Sequence, residues 1–546
     1  MHLCIGIEEG GTHMAKKPLE ENGIHRAKLW EIGFYALNNT STNAYMMLVA
    51  SISYFLVGIV GVGAVLAGSI VTIMRIWDGV TDPFIGMLVD NTNTKIGKNR
   101  PFIILGNIIL FVMTFCMFRF IPNIPESGRF VAFILMYMVY IVGYTFQCVV
   151  TKSAQTCMTN DPSQRPIFSM FDSVYNIVLM SIFWPMYLSG TLYPKYQAAE
   201  WISKAVTNFP ILEKVATTNA EGVMSLNPLY NPYLWQEAQI TIGILAAVLA
   251  VLAIIGISRK DNVKYFGTGK VQKIGFRDYA DVLAHNRGIQ MLVLAASSDK
   301  LAMNCTSNSA VLMALYGIIF CNYAAINSSI GAITGIPIAI FGLFGIGIIA
   351  RKMGQKKCLV VGTWGALLTS VALAIIIATA HGNVVNLPSF SLTKPATWLN
   401  LFSGSSWSLY GVLFVLAYII QKGFAQLSGN IVIPMTADCA DYEVYRSKRY
   451  VPGLMGTLFS FVDKLISSLA ATLVALVYAA IGYTSTLPTD ADPYSTGVLI
   501  CTLVCFLGIP CIGWILNVVA MKFYPLNKEY MASIQGEIAK IKAEAN

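Results

Sequence analysis

Charge is what this chain has least of. Lys and Arg number 37 and Asp and Glu 28 among 546 residues, 12% together, while 55% of positions are hydrophobic and mean hydropathy is +0.62. Soluble domains carry about 25% charged residues, so this composition cannot cover a water-facing surface of such a size. A soluble multidomain enzyme, a disordered chain and a secreted disulfide scaffold are excluded. Histidine is nearly missing. His2, His13, His25, His285 and His381 all lie outside the apolar runs, which leaves no His-Glu-x-x-His or Cys/His cluster to hold a catalytic metal within a membrane. The eleven Cys offer no metal-ligand spacing either. Cys116, Cys148, Cys157, Cys305, Cys321, Cys501, Cys505 and Cys511 fall in apolar runs and read as small core residues. A cleavable signal is missing as well, since Met1 to Pro18 carries Glu8 and Glu9 and no apolar core. Met14, ahead of Lys16 and Lys17, is as good an initiator as Met1.

What is present is a series of long apolar runs. A spanning helix needs about 20 such residues, and runs of that kind recur near 31–57, 62–89, 101–121, 129–152, 166–190 and 237–257, then 289–316, 327–350, 357–380, 407–432, 453–482 and 494–521. The net charge of +9 is a matter of topology rather than of a nucleic-acid partner, because Lys and Arg gather in alternate loops and such loops stay cytoplasmic. The loops near 58–61, 317–326, 381–406 and 483–493 hold only Lys394. The expectation is an all-α membrane protein of twelve transmembrane helices with both termini cytoplasmic. Two motif pairs repeat at a period of six spans. Gly86 to Arg100 is echoed by Gly345 to Lys357, and Met158-Thr-Asn-Asp161 by Met435-Thr-Ala-Asp438. Two six-helix halves related by an axis along the membrane normal are the major facilitator plan. The expected organisation is a tail at 1–27, an N-terminal half at 28–257 with an extracellular insertion at 191–236, a cytoplasmic linker at 258–288, a C-terminal half at 289–525 and a tail at 526–546. Trp201, Trp235 and several Tyr make the insertion a candidate folded lid, and Lys540 and Lys542 mark the last tail as a surface amphipathic helix.

In lipid the informative residues are the ionisable ones inside spans, where each costs about 2.5–3.5 kcal/mol. Span two holds Arg75, Asp78 and Asp82. The two carboxylates are four residues apart, so they share one helix face, about 18 and 12 Å inward from Asp90. Such a pair repels itself unless a cation or proton sits between. Thr81 and, from a facing helix, Thr145 add the oxygen ligands that hard cations want. The competing reading is a salt-bridge lock in which Arg75 and Lys464 neutralise the two Asp. Lys464 lies about 18 Å into span eleven, level with Asp78, where it can compete with a bound cation. Asp463 is expected to pair with Lys422 or Lys300, and Lys152 either snorkels or meets substrate. Asp172 serves a gate, a cap or a ligand, and Asp299 in span seven completes the set. Trp30, Trp364 and Trp407 near span ends read as interfacial anchors.

The stretch Arg75-Ile-Trp-Asp-Gly-Val-Thr-Asp-Pro-Phe-Ile-Gly86 resembles the signature of the glycoside-pentoside-hexuronide:cation symporters, the family of the melibiose permease. Lys98-Asn-Arg-Pro101, Gly143-Tyr-Thr145, Asp438-Cys-Ala-Asp-Tyr-Glu443 and Lys464 extend the likeness over nearly all of 28–525 outside the insertion. The resemblance implies a Na+, Li+ or H+ site at Asp78, Asp82 and Thr145, with Thr81 where the family often has Asn, and Lys464 as the coupling base beside Arg75. It puts substrate positions at Thr40, Cys148, Lys152, Ser173 beside Asp172, Ser460 and Lys464. The acids that grip a galactoside are replaced at Thr40 and Cys148, and Lys152 adds positive charge, so the implied cargo leans to an acidic sugar such as a hexuronide. Asp90, Arg100, Asp161, Arg165, Arg351, Asp438, Arg446 and Arg449 form the expected cytoplasmic gate. The implied partners are a sugar or glycoside, a coupling cation and the plasma-membrane bilayer, with a monomer as the default and no cofactor. A cation-coupled lysolipid carrier of the same fold is the alternative cargo. A polytopic enzyme would have to use Asp438, Asp441 and Glu443, whose alternation with Arg446 and Arg449 reads as a charged loop.

Overall fold

A computed structural model of the chain describes residues 20–21, 24–92, 94–159, 164–218, 224–262, 284–345, 349–380, 385–447, 452–527, 529–531, 533–534 and 537. The alternative starts at Met1 and Met14, most of the 258–288 linker and the tail at Lys540 and Lys542 lie outside the described residues. The described residues are mostly helical. The helices labelled here are α1 (Leu29–Ala50), α2 (Ala64–Asn91), α3 (Arg100–Arg119), α4 (Glu126–Met158), α5 (Arg165–Asn176, continuing through π turns to Tyr196) and α6 (Pro232–Ile257). After the linker follow α7 (Arg287–Thr306), α8 (Tyr323–Gly345), α9 (Gln355–Ala380), α10 (Leu409–Ser447), α11 (Pro452–Ala479) and α12 (Thr496–Phe523).

Among the described residues nine helices are long and apolar enough to cross a membrane, or ten when α1 and Ile52–Val60, bent by 42°, count as one. The two expected spans that miss this mark are α7 and α11, the helices that carry Asp299 with Lys300 and Asp463 with Lys464. On the apolar helices the outward stripe follows the helical period, as in Leu368, Val371 and Ile375 of α9, each more than half exposed. Helix starts are set locally. Asn231 accepts from the Tyr233 N–H ahead of α6 with Pro232 in the first turn, and Asn286 accepts from the Ile289 N–H ahead of α7. Cys321 is not the core residue its apolar surroundings suggested: it is exposed in the turn before α8 with φ +53°.

In the N-terminal half α1 packs on α6 and α3 on α4; in the C-terminal half α7 packs on α12 and α9 on α10. The halves meet where α2 lies against α11 and the α5 run lies against α8. The buried apolar residues divide unequally along the length of the helices. On the side of the 191–236 insertion a single core runs through both halves, joining Tyr54, Tyr230 and Trp235 to Tyr316, Phe414 and Tyr478. On the side of the linker there are two cores, one per half, around Ile103 and Phe168 and around Leu292 and Met435. Dispersion and apolar burial therefore weld the halves at one end only, and at this end the backbones touch: a Cβ on Gly190 would run into the Phe390 carbonyl oxygen.

At the linker end each half is stapled internally. The turn before α3 presents the backbone N–H groups of Lys98, Asn99 and Arg100 to the Asp261 carboxylate at 3.2, 3.1 and 3.0 Å, and the Arg100 guanidinium adds a 3.3 Å ion pair. Gly97, at φ +113°, makes this turn possible, because a side chain there would be strained and would collide with the carboxylate. Asp261→Ala removes a fully buried acceptor and leaves these donors unpaired, which costs about 3–5 kcal/mol. A clear fall in the detergent melting temperature is expected, with Asp261→Asn in between.

Candidate functional site

The polar interior is organised by α2. Four-residue spacing puts Asp78 and Asp82 on one face, and α4 and α11 supply what they meet. Lys464 Nζ lies 2.6 Å from Asp82 Oδ2 and 3.2 Å from Asp78 Oδ2. Thr145 Oγ1 donates to Asp78 Oδ1 at 3.0 Å, and Arg75 Nη1 stands 3.7 Å from Asp78 Oδ2 with its guanidinium 5.9 Å over the Tyr144 ring. The two carboxyls differ in environment: Asp78 is 1% exposed, whereas Asp82 is 35% and Lys464 25% exposed. Thr81 spends its proton on the Asp78 carbonyl oxygen at 3.0 Å. Four carboxylate oxygens and a hydroxyl thus converge on one small volume, and the charge there is held by an ammonium on a flexible stem. Hard oxygen donors in this number suit a small monovalent cation or a proton.

The other predicted residues fall into three groups. On α1, Thr40 is buried with its hydroxyl unpartnered, and Cys148 on α4 is half-buried one turn from Thr145. Asp172 on α5 accepts from Asn39 Nδ2 at 2.7 Å, and Ser173 beside it is exposed. A second rung, Asn43 to Asn176 at 2.7 Å, lies one turn further on. The rungs escaped the sequence reading, although Asn39 and Asn43, like Asp172 and Asn176, are four residues apart. Of the gate residues, Arg100 closes on Asp261 at the start of the linker, just past its own half. Arg446 binds Glu443 at 2.8 Å within the other half, where Asn286 Nδ2 also donates to Glu443 at 2.8 Å. Asp438 is half-buried next to Cys439 on α10. The side chains of Asp90, Lys152, Asp161, Arg165, Arg351, Arg449, Ser460 and Asp463 lie outside the described residues.

At the insertion end the halves are latched by hydrogen bonds. Tyr54 Oη donates to the Pro488 carbonyl at 2.7 Å, Tyr230 Oη accepts from the Leu487 N–H at 3.0 Å and Asn327 Nδ2 donates to Ser189 Oγ at 2.6 Å. Asp490 accepts from Asn227 Nδ2 at 3.3 Å and from Gln197 Nε2 at 3.4 Å, both contributed by the insertion. Burial pushes the Asp490 carboxyl above the ordinary carboxylate range, and Asp492 adds to the effect. When the latch opens, the carboxyl is hydrated and returns to that range. Closure is therefore strongest below the ordinary Asp range and weakens as pH rises through the elevated value. In a background without the exposed Cys321, Ser189→Cys, at a latch position that closure buries, is expected to react faster with an impermeant thiol reagent as pH rises. Asp490→Asn should flatten that dependence.

Residues 34–528 match the family described as MFS/sugar transport protein. A glucuronide carrier protein homolog of Escherichia coli (strain K12) is 22% identical over 515 residues, covering 92% of this chain and 94% of that protein. An isoprimeverose transporter of Lactiplantibacillus pentosus is 20% identical over 533 residues, covering 96% and 95%. The crystal structure of nucleoside transporter NupG superimposes with a TM-score of 0.56 at 10% identity, over 92% of this chain and 100% of that one, a likeness of fold. With the welded helical halves and the charged centre between them, these matches converge: the chain belongs to the MFS/sugar transport family, as a glycoside-pentoside-hexuronide-like symporter of the major facilitator superfamily, an integral plasma-membrane transporter and not an enzyme.

Proposed function

We propose that the protein imports a sugar or glycoside, with an acidic sugar such as a hexuronide as the favoured class, by symport with Na+ or H+ bound between Asp78 and Asp82. The observation that carries the reading is the Lys464 ammonium lying between both carboxylates at 3.2 and 2.6 Å. An incoming cation at that place takes over the charge compensation and releases Lys464 toward the cleft, where it favours an anionic or hydroxyl-rich cargo. Thr145 holds Asp78 in position throughout. In this reading twelve helices span the membrane with both termini in the cytoplasm, and the protein works as a monomer. The conformation faces inward: the insertion end is the extracellular end and is shut, and the linker end is split between two cores. Arg100, bound to Asp261 where the linker leaves its half, and Arg446, bound to Glu443 of its own helix, fit a cytoplasmic gate that has parted, and rocking of the halves would exchange the two ends.

The cargo preference is supported by the glucuronide carrier homolog among the relatives and by Arg75 and Lys464 at the centre, balanced by the neutral Thr40 and Cys148. The experiment is uptake of labelled neutral glycosides, pentosides and uronides into vesicles with an imposed Na+ or pH gradient. Gradient-driven accumulation of a uronide above the neutral sugars is the expected result. Accumulation of none of the panel under either gradient overturns the reading.

A further inference from the structure

The C-terminal half contains a second acidic group that the centre described above does not use. Asp299 lies on α7 about 18 Å along the axis from Arg287, as deep as Lys464 lies from Pro452 on α11. Ser428 of α10 donates to Asp299 Oδ2 at 3.0 Å, while Asp299 Oδ1 is inaccessible and accepts no hydrogen bond. Beside it on α12 is Asn517, 0% exposed, near enough for its amide to act on the carboxyl, although neither amide atom reaches full hydrogen-bond geometry. A carboxyl and a carboxamide thus lie side by side, both with inaccessible atoms that keep spare hydrogen-bonding capacity, which buried polar groups ordinarily do not.

Among the described residues no ion pair to this carboxyl is formed. Lys422 on α10 is turned to Thr306 at 3.4 Å and to the rings of Tyr418 and Phe506. Lys464 on α11 is held by Asp78 and Asp82, and the Asp463 side chain lies outside the described residues. Lys300 is exposed on the next position of α7, a third of a turn round the helix, and Lys522 stands near the end of α12. An uncompensated carboxylate in the membrane interior costs several kcal/mol, so charge neutrality here comes from a proton. Asn517 suits either state: its oxygen accepts from the protonated acid, and its N–H groups donate to the carboxylate after the proton leaves. A salt-bridged acid lacks such an arrangement. The state of Asp299 also has a route to the centre, since Asn304 Nδ2 of α7 donates to the Ser467 carbonyl of α11 at 3.1 Å, one turn beyond Lys464.

We propose that Asp299, Ser428 and Asn517 form an exchangeable proton site, distinct from the Asp78–Asp82 pair and built within the C-terminal half alone. The reaction is simple protonation: an O–H bond of hydronium breaks as the O–H bond on Asp299 Oδ1 forms, water is released, and the reverse step returns the proton. It does not depend on the cargo or on which cation the Asp78–Asp82 pair takes.

The test is infrared difference spectroscopy of the purified protein in lipid, titrated from acid to alkaline pH. The background is the Asp78→Asn/Asp82→Asn variant, so that the other intramembrane pair contributes nothing. A carbonyl-stretch band of a protonated carboxyl is expected, shifted in D2O and lost at alkaline pH. Adding Asp299→Asn should abolish it. Ser428→Ala should move its frequency without removing it, since it deletes one hydrogen bond and keeps the acid. If the background variant proves unstable, the same comparison is made in the wild type, with Na+ added to identify the bands of the pair. A band unchanged by Asp299→Asn, or one that persists at every pH, overturns the proposal. Failure of cation-driven uptake would leave this result standing.

Discussion

Asp82→Asn is expected to abolish gradient-driven accumulation of substrate while leaving a folded protein. Asp82 is 35% exposed and touches Lys464 from the cleft side, so an amide there keeps the shape and removes one charge. Lys464 retains Asp78 at 3.2 Å, which prevents a stranded ammonium. The cation, however, loses half of its negative charge and at least one ligand. At about 1.4 kcal/mol per tenfold, the loss of one charge-assisted ligand worth about 1.5–3 kcal/mol lowers cation affinity some tenfold to a hundredfold. Uptake should fall to the level of empty vesicles. Asp78→Asn should do this and more, because Asp78 is 1% exposed and organises Thr145, Lys464 and Arg75. Breaking such a buried set costs about 3–5 kcal/mol, visible as a lower melting temperature. Normal concentrative uptake by both variants would remove the pair from the mechanism.

The difference between the two carboxylates shows where sequence arithmetic ends. Helical spacing brought Asp78 and Asp82 to one face, and the rise per residue brought Lys464 level with them, because both are properties of a single rigid helix. Which carboxyl is buried and which faces the cleft depends on how α4 and α11 pack on α2, and no local pattern states that. The same holds for Arg100. Its position after span two suggested a place in a cytoplasmic gate, yet it closes on Asp261, 161 residues away at the start of the linker. That contact is made by backbone N–H groups, which every residue carries and no motif advertises. The α1–α5 rungs of Asn39 with Asp172 and Asn43 with Asn176 are a middle case: each helix shows the four-residue spacing, and only the fold shows that the two ladders face one another. Helices α7 and α11 read as spans from their apolar runs, yet their charged residues leave them short of the apolar length that the other helices reach.

Lys464→Ala separates a lock from a switch. If the ammonium only ties α11 to α2, its removal should weaken folding and leave cation affinity unchanged. If it occupies the place of the coupling ion, its removal leaves two carboxylates four residues apart, with Arg75 3.7 Å from Asp78, a distance that allows no hydrogen bond. Their repulsion then draws in whatever small cation is available. Na+ or Li+ binding should tighten by about tenfold or more, equal to about 1.4 kcal/mol of lost competition, measurable by calorimetry on the purified protein. Transport should fail in a particular way. A cation bound too well on the inward side, with no ammonium to displace it, stalls the return step, so concentrative uptake is lost while exchange of substrate across the membrane persists. Lys464→Arg keeps the charge but cannot withdraw as a point ammonium, and its planar fork can hold both carboxylates at once. It should therefore weaken cation binding where alanine strengthens it, and opposite shifts from two substitutions at one position are what a competitor produces and a fixed strut does not.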